Sequence, residues 1–156
     1  MRNILLTKAG YVKLENEYKD LQLKRKEAIL NLKTARDMGD LSENAAYRVA
    51  RSKLSSIDSR IRYLEKVLRF AHITTPSNNV KVQIGHQVTI KDITNKLLKY
   101  TIVDTQESDI SNNLISVWSP IGKSLLNKSI NDEIIVPTPQ GIKKFILLEI
   151  TYDKNK

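Results

Sequence analysis

The chain has 156 residues, enough for one ordinary domain or two small ones, and carries a formal charge of +9. It has no cysteine, which excludes a disulfide framework and any Cys-based metal or redox site. No apolar run approaches the ~20 residues that span a bilayer, and the apolar patch after Met1 is too short for a signal peptide, so a cytoplasmic protein with no membrane partner is expected.

The charge is uneven. Residues 1–75 hold 16 Lys and Arg against 9 Asp and Glu, whereas the remainder holds 10 against 8. A basic surface favours a polyanion such as RNA or DNA, or an acidic protein groove. The same residues also serve simply to solvate a helix, so charge alone decides nothing.

Thr7 is a suitable N-cap for a first helix running to about Asp37, with Gly39 a left-handed stop. Along it, Tyr11, Leu14, Tyr18, Leu21, Arg25, Ala28, Leu32 and Ala35 recur at alternating steps of three and four. A second such series is Tyr47, Ala50, Leu54, Ile57, Ile61, Leu64, Leu68 and Ala71. This spacing is the seam of a coiled coil. Paired from the middle outward, the two series mirror each other: the residue numbers of every pair add to one constant, from Ala35 with Tyr47 to Tyr11 with Ala71. A long antiparallel helical hairpin turning about Leu41 is predicted. Each arm, ~30 residues at ~1.5 Å per residue, is ~45 Å long. Such an arm reaches, but has little interior in which to build a pocket.

The polar run Thr74–Asn79, broken by Pro76, reads as a linker. Beyond it the period changes to two, predicting strands at Val80–Ile84, Gln87–Lys91, Lys99–Val103, Leu114–Trp118, Glu133–Val136 and Lys143–Thr151. Ser119-Pro120 opens a short helix through Leu126, with Ser as N-cap and Pro at the first helical position. The expected fold class is α+β: a coiled-coil hairpin over 1–75, then a small, mainly antiparallel β domain with one short helix over 80–156.

The turn of the hairpin carries three carboxylates, Asp37, Asp40 and Glu43. Asp40 and Glu43 stand three apart, as in a capping box opening the second helix. Against a purely capping role, Asp37 sits at the unfavourable negative end of the first helix, and Arg36, Arg48, Arg51 and Lys53 lie within about four turns. Acids on a probe backed by cations suit delivery of a hard-metal ligand beside a phosphate backbone. Magnesium keeps waters and needs further oxygen ligands, so two exposed acids would have to share it with a partner. His72 and His86 are isolated and outside any metal-ligand spacing. Tyr11, Tyr18 and Tyr47 fall on the seam and are expected in it. Trp118 reads equally as core or as a partner anchor.

The run Ala35-Arg36-Asp37-Met38-Gly39-Asp40-Leu41-Ser42-Glu43-Asn44-Ala45-Ala46-Tyr47 resembles the tip motif of the bacterial transcript-cleavage factors of the GreA/GreB family. Ser116 through Lys128, then Asp132-Glu133 and Pro137-Thr138-Pro139, resemble the C-terminal segment of the same family, and the length is nearer its GreA branch. The resemblance implies an FKBP-like C-terminal domain that docks on RNA polymerase while the hairpin enters the secondary channel. It implies a factor, monomeric when free, that is not itself an enzyme. Asp40 and Glu43 then match the acids that help place a magnesium ion and a water in the polymerase's own active site, for cleavage of backtracked RNA. Arg36 and Arg51, with Arg48 and Lys53 beside them, match the side facing the RNA 3′ segment, and Trp118, Ser119 and Pro120 the docking segment. Ala46 and Trp118 depart from the family pattern, and Asn127, Asn131 and Gln140 stand at usual glycine positions, which puts turn geometry there in question. A channel-binding paralogue that opposes cleavage is the nearest alternative; a coiled-coil chaperone with an isomerase-like domain, or a plain nucleic-acid-binding arm, would leave the acidic tip unexplained.

Overall fold

The computed structural model describes residues 4–38, 44–77 and 80–152. The predicted left-handed stop at Gly39 and the acids Asp40 and Glu43 lie outside the described residues. The chain divides into a unit of residues 12–70 and a unit of residues 1–11 with 71–156.

The first unit is the predicted hairpin. Helix α1 spans Lys8–Asp37, beginning in the other unit, and α2 spans Ala45–Phe70. The seam is where the periodicity places it. Leu14, Ala28, Ala35, Ile57 and Leu64 are buried, the other seam positions from Val12 to Phe70 are half-buried, and only Arg25 is exposed. Arg25 Nε donates to Asp58 Oδ1 across the seam at 2.6 Å, and Tyr18 Oη donates to Glu65 Oε1 at 3.1 Å. Each of these partners lies one residue beyond the seam position paired with it in the sequence. The helices are therefore antiparallel and in the predicted register.

In the other unit, β1 (Ile4–Leu6) and β2 (Ala71–Ile73) form a two-stranded parallel sheet. The sequence boundary at residue 75 assigned both strands to the hairpin, and Ala71 to its seam. Instead the two strands pair with each other and belong to the unit that holds the larger sheet. The start of α1 is fastened within the same unit. Thr7 caps the helix as predicted, its Oγ1 accepting from Gly10 N at 3.0 Å. The same hydroxyl donates to Glu107 Oε2 at 2.5 Å, and Thr7 N donates to Glu107 Oε1 at 2.7 Å. Glu107 is buried, and a Cβ on Gly10 would fall 2.0 Å from its carboxyl carbon, so a side chain there would displace the carboxyl from Thr7.

The larger sheet comprises β3 (Gln87–Asp92), β4 (Leu97–Val103), β5 (Leu114–Ser116), β6 (Glu133–Thr138) and β7 (Gly141–Thr151), in the order β5-β4-β3-β7-β6. All neighbours are antiparallel except β4 with β5. The one predicted strand that fails is Val80–Ile84, which makes an isolated bridge from Lys81 to Ser129. The short helix α3 (Pro120–Leu125) lies over the core side, which includes Ile90, Ile102, Leu125, Ile134 and Leu147. Asn127 and Asn131 adopt φ of 62° and 72°. Asparagine tolerates this left-handed region best after glycine, so these two departures keep the backbone conformation that glycine would supply. No helix among the described residues is long and apolar enough to cross a membrane.

Candidate functional site

The hairpin's end is built by Asn44. Its Oδ1 accepts from Tyr47 N at 2.9 Å, and Arg48 N donates to Asn44 O at 3.2 Å, which makes it the N-cap of α2. A cap at Asp40, as the capping-box reading requires, would start the helix at residue 41; α2 starts at Ala45. That expectation is corrected. Asn44 also donates from Nδ2 to the Ala35 carbonyl oxygen at 2.7 Å, one of the last four carbonyls of α1. The sequence carried a signal for it, since Asn directly before a long helical run is among the strongest N-cap residues.

Several basic residues of the arms are held in ion pairs. Lys19 pairs with Glu15 and Lys24 with Asp20 within α1, while Arg25 pairs with Asp58 and Arg60 with Glu17 across the helices. Arg60 is bidentate, Nε and Nη2 donating to the two Glu17 oxygens at 2.7 and 2.9 Å. That pairing holds the Glu17 carboxyl below its usual range, the Arg60 hydrogen bond being the main cause, and raises the Arg60 guanidinium. Arg36, Arg48, Arg51 and Lys53 are all exposed and in no ion pair among the described residues.

Helical period separates these four. Arg51 lies seven residues before Asp58 and fourteen before Glu65, so it shares their edge of the hairpin. Gln22 lines one open cavity of about 650 Å³ with Tyr18, Arg25, Ile61 and Glu65. Arg36, fourteen residues beyond Gln22, therefore projects from the same edge as Arg51, and Arg48 lies one turn from Arg51. Lys53, seven before Arg60, belongs to the opposite edge with Glu17. The structure thus groups Arg36, Arg48 and Arg51 and leaves Lys53 apart.

The predicted docking segment lies in the sheet unit. Ser119 caps α3, its Oγ accepting from Gly122 N at 3.0 Å and donating to Ser116 O at 2.7 Å. Pro120 occupies the first helical position and is exposed. A Cβ on Gly122 would lie 2.1 Å from Ser116 O, so helix and preceding strand pack as closely as backbone allows. Trp118, half core and half anchor in the sequence reading, is 45% exposed. It borders a largely apolar cavity of about 410 Å³ with Leu5, Ile84, Val117, Leu126 and Lys123. The histidines are structural or solvated. His86 is buried, its Nδ1 accepting from Gln83 N at 3.1 Å and its Nε2 bonded to Ser77 O at 3.0 Å; His72 is exposed in β2. Among the described residues no group of three or more His, Cys, Asp or Glu could hold a metal ion.

Comparison with known proteins covers both units. Residues 4–73 match the GreA/GreB N-terminal family model, described as "Transcription elongation factor, N-terminal", and residues 77–152 match "Transcription elongation factor, GreA/GreB, C-term". The division between the two matches falls at the linker, later than that between the compact units. The chain is 41% identical over 154 residues to transcription elongation factor GreA of Clostridioides difficile, covering 96% of each. It is 40% identical over 149 residues to that of Chloroherpeton thalassium, covering 93% of this chain and 94% of the relative. A crystal structure of GreA factor homolog 1 of Thermus thermophilus is 27% identical, with a TM-score of 0.47 over 96% of this chain and 99% of that one.

Proposed function

This chain belongs to the GreA/GreB family of transcription elongation factors, and we propose that it binds RNA polymerase and stimulates the polymerase's own cleavage of backtracked RNA. It is a cofactor acting in trans and does not make the cut itself. The observation that carries this reading is the cap at Asn44. With α2 begun at Ala45 and capped by Asn44, that helix has its cap without Asp40.

Asp40 and Glu43 lend their carboxylates to a magnesium ion shared with the polymerase active site. Two carboxylates alone are too few for a site of their own, since magnesium demands near-octahedral oxygen coordination. When bound, the ion supplies a water of lowered pKa and offsets charge on the phosphate under attack. The chain's own residues do the positioning. The stiff hairpin carries the acids to the phosphate, and Arg36, Arg48 and Arg51 face the nascent RNA 3′ segment from one edge with charge that no ion pair among the described residues consumes. Lys53 attracts polyanions from the other edge. Trp118, Ser119 and Pro120 dock on the polymerase, with α3 rigidly seated on Ser116 behind them.

Asp40→Asn tests the reading on an artificially backtracked elongation complex. The change preserves shape and removes a ligand charge. Stimulated cleavage should fall by on the order of a hundredfold, the scale set by losing one group that stabilises developing charge. Polymerase binding should persist, and added magnesium should partly restore the rate. A variant that binds and cleaves at the wild-type rate would overturn the assignment.

A further inference from the structure

Asn44 makes two bonds of different kinds. The Tyr47 amide can only donate and the Ala35 carbonyl can only accept, so the orientation of the Asn44 side-chain amide is fixed by its partners. A cap needs only the acceptor. The donor bond, at 2.7 Å, leaves α2 and reaches the last turns of α1, spanning nine residues of sequence. It ties together the two helix ends between which Asp40 and Glu43 lie in the chain. We propose that Asn44 is a positioning residue: its side chain clamps Ala35 to Tyr47, and this clamp sets the rate of stimulated cleavage at saturation, not the affinity for polymerase. The rate role rests on the function proposed above; the clamp does not.

The chemistry supplies a substitution that separates cap from clamp. Asp caps a helix about as well as Asn, and Ser nearly so. Neither has an amide donor for Ala35. Asp sets an acceptor against an acceptor, and Ser is too short while adding no charge near the acids. Asn44→Asp and Asn44→Ser should therefore keep α2 folded and lose only the cross-helix bond. Misplacing a catalytic group by about an ångström costs up to a hundredfold, so both variants should lose roughly tenfold or more in saturating cleavage rate. Half-saturating factor concentration should stay within about twofold.

The experiment measures cleavage of a backtracked complex across a range of factor concentrations for wild type and both variants. In parallel, nuclear magnetic resonance follows the Asn44 side-chain amide protons and the Tyr47 amide in the free protein. One Asn44 side-chain proton protected from exchange in wild type, with Tyr47 protection kept in Asn44→Ser, is the expected result. Wild-type saturating rates in both variants, or a loss in affinity alone, would overturn the positioning role. An Asn44 side-chain amide that exchanges freely would overturn the clamp, whatever the rates. A wild-type protein that shows the protected proton yet stimulates no cleavage would overturn the function and the rate role together, and leave the clamp supported.

Discussion

The hairpin and the sheet unit use the same aliphatic residues to different effect. In the hairpin most seam residues, Leu21, Leu32, Leu54 and Ile61 among them, stay half-buried, and Leu64 is fully closed to solvent. In the sheet unit, Val82, Val88, Ile90, Ile102, Leu125, Ile134 and Leu147 are fully closed to solvent. The hairpin compensates with ion pairs at its edges, such as Arg60 with Glu17 and Arg25 with Asp58, which are worth little individually. Length and density of core are therefore separate achievements. A two-helix arm leaves its sides wet, and those sides carry charge.

Truncating one aliphatic residue in each unit should expose this difference most strongly. Leu147→Ala removes a fully buried side chain whose surroundings cannot collapse, and should cost about 4 kcal/mol. Ile57→Ala, 7% exposed in the seam, should cost about 2 kcal/mol, because a two-helix contact can close over the gap. Urea unfolding of both variants checks the order, and equal losses would remove the distinction.

The buried ring of His86 in the sheet unit comes next. His86→Ala leaves the half-buried Gln83 amide without its acceptor, while the carbonyl of exposed Ser77 turns to water, with an expected loss of about 1–2 kcal/mol. His86→Gln, which keeps a donor and an acceptor, should recover part of it. The two melting curves decide whether the ring's hydrogen bonds or its bulk matter.

The smallest effect belongs to the hairpin edge. Glu17→Gln should cost less than about 1 kcal/mol at neutral pH and less still in high salt. The Glu17 carboxyl is held below its ordinary value by Arg60. Its contribution is therefore fully present above the unfolded-state carboxylate pKa and lost as pH falls through the lower folded value. Wild type and variant should differ in thermal stability at pH 7 and converge in acid. A difference that persisted after the carboxyl was protonated would show that packing, not charge, was lost.

Much of this was legible in advance, for a reason that differs between the units. A heptad repeat is a local code, so the mirrored series from Tyr11 to Ala35 and from Tyr47 to Leu68 specified both helices and their register without any knowledge of the rest. Thr7 and Ser119 announced their caps in the same way, each a side chain acting within three residues of itself. The strands β3, β4, β6 and β7 were visible as alternation, but the order β5-β4-β3-β7-β6 was not, because it depends on partners far apart in the chain. The same holds for β1 with β2, two three-residue strands separated by the whole hairpin, and for Glu107, whose bonds to Thr7 span 100 residues. At the tip the sequence reading gave the cap of α2 to Asp40, whereas the structure gives it to Asn44. The cap at Asn44 is local, but its donor bond to the Ala35 carbonyl was not legible, because that partner is at hand only once the ends of the two helices lie side by side.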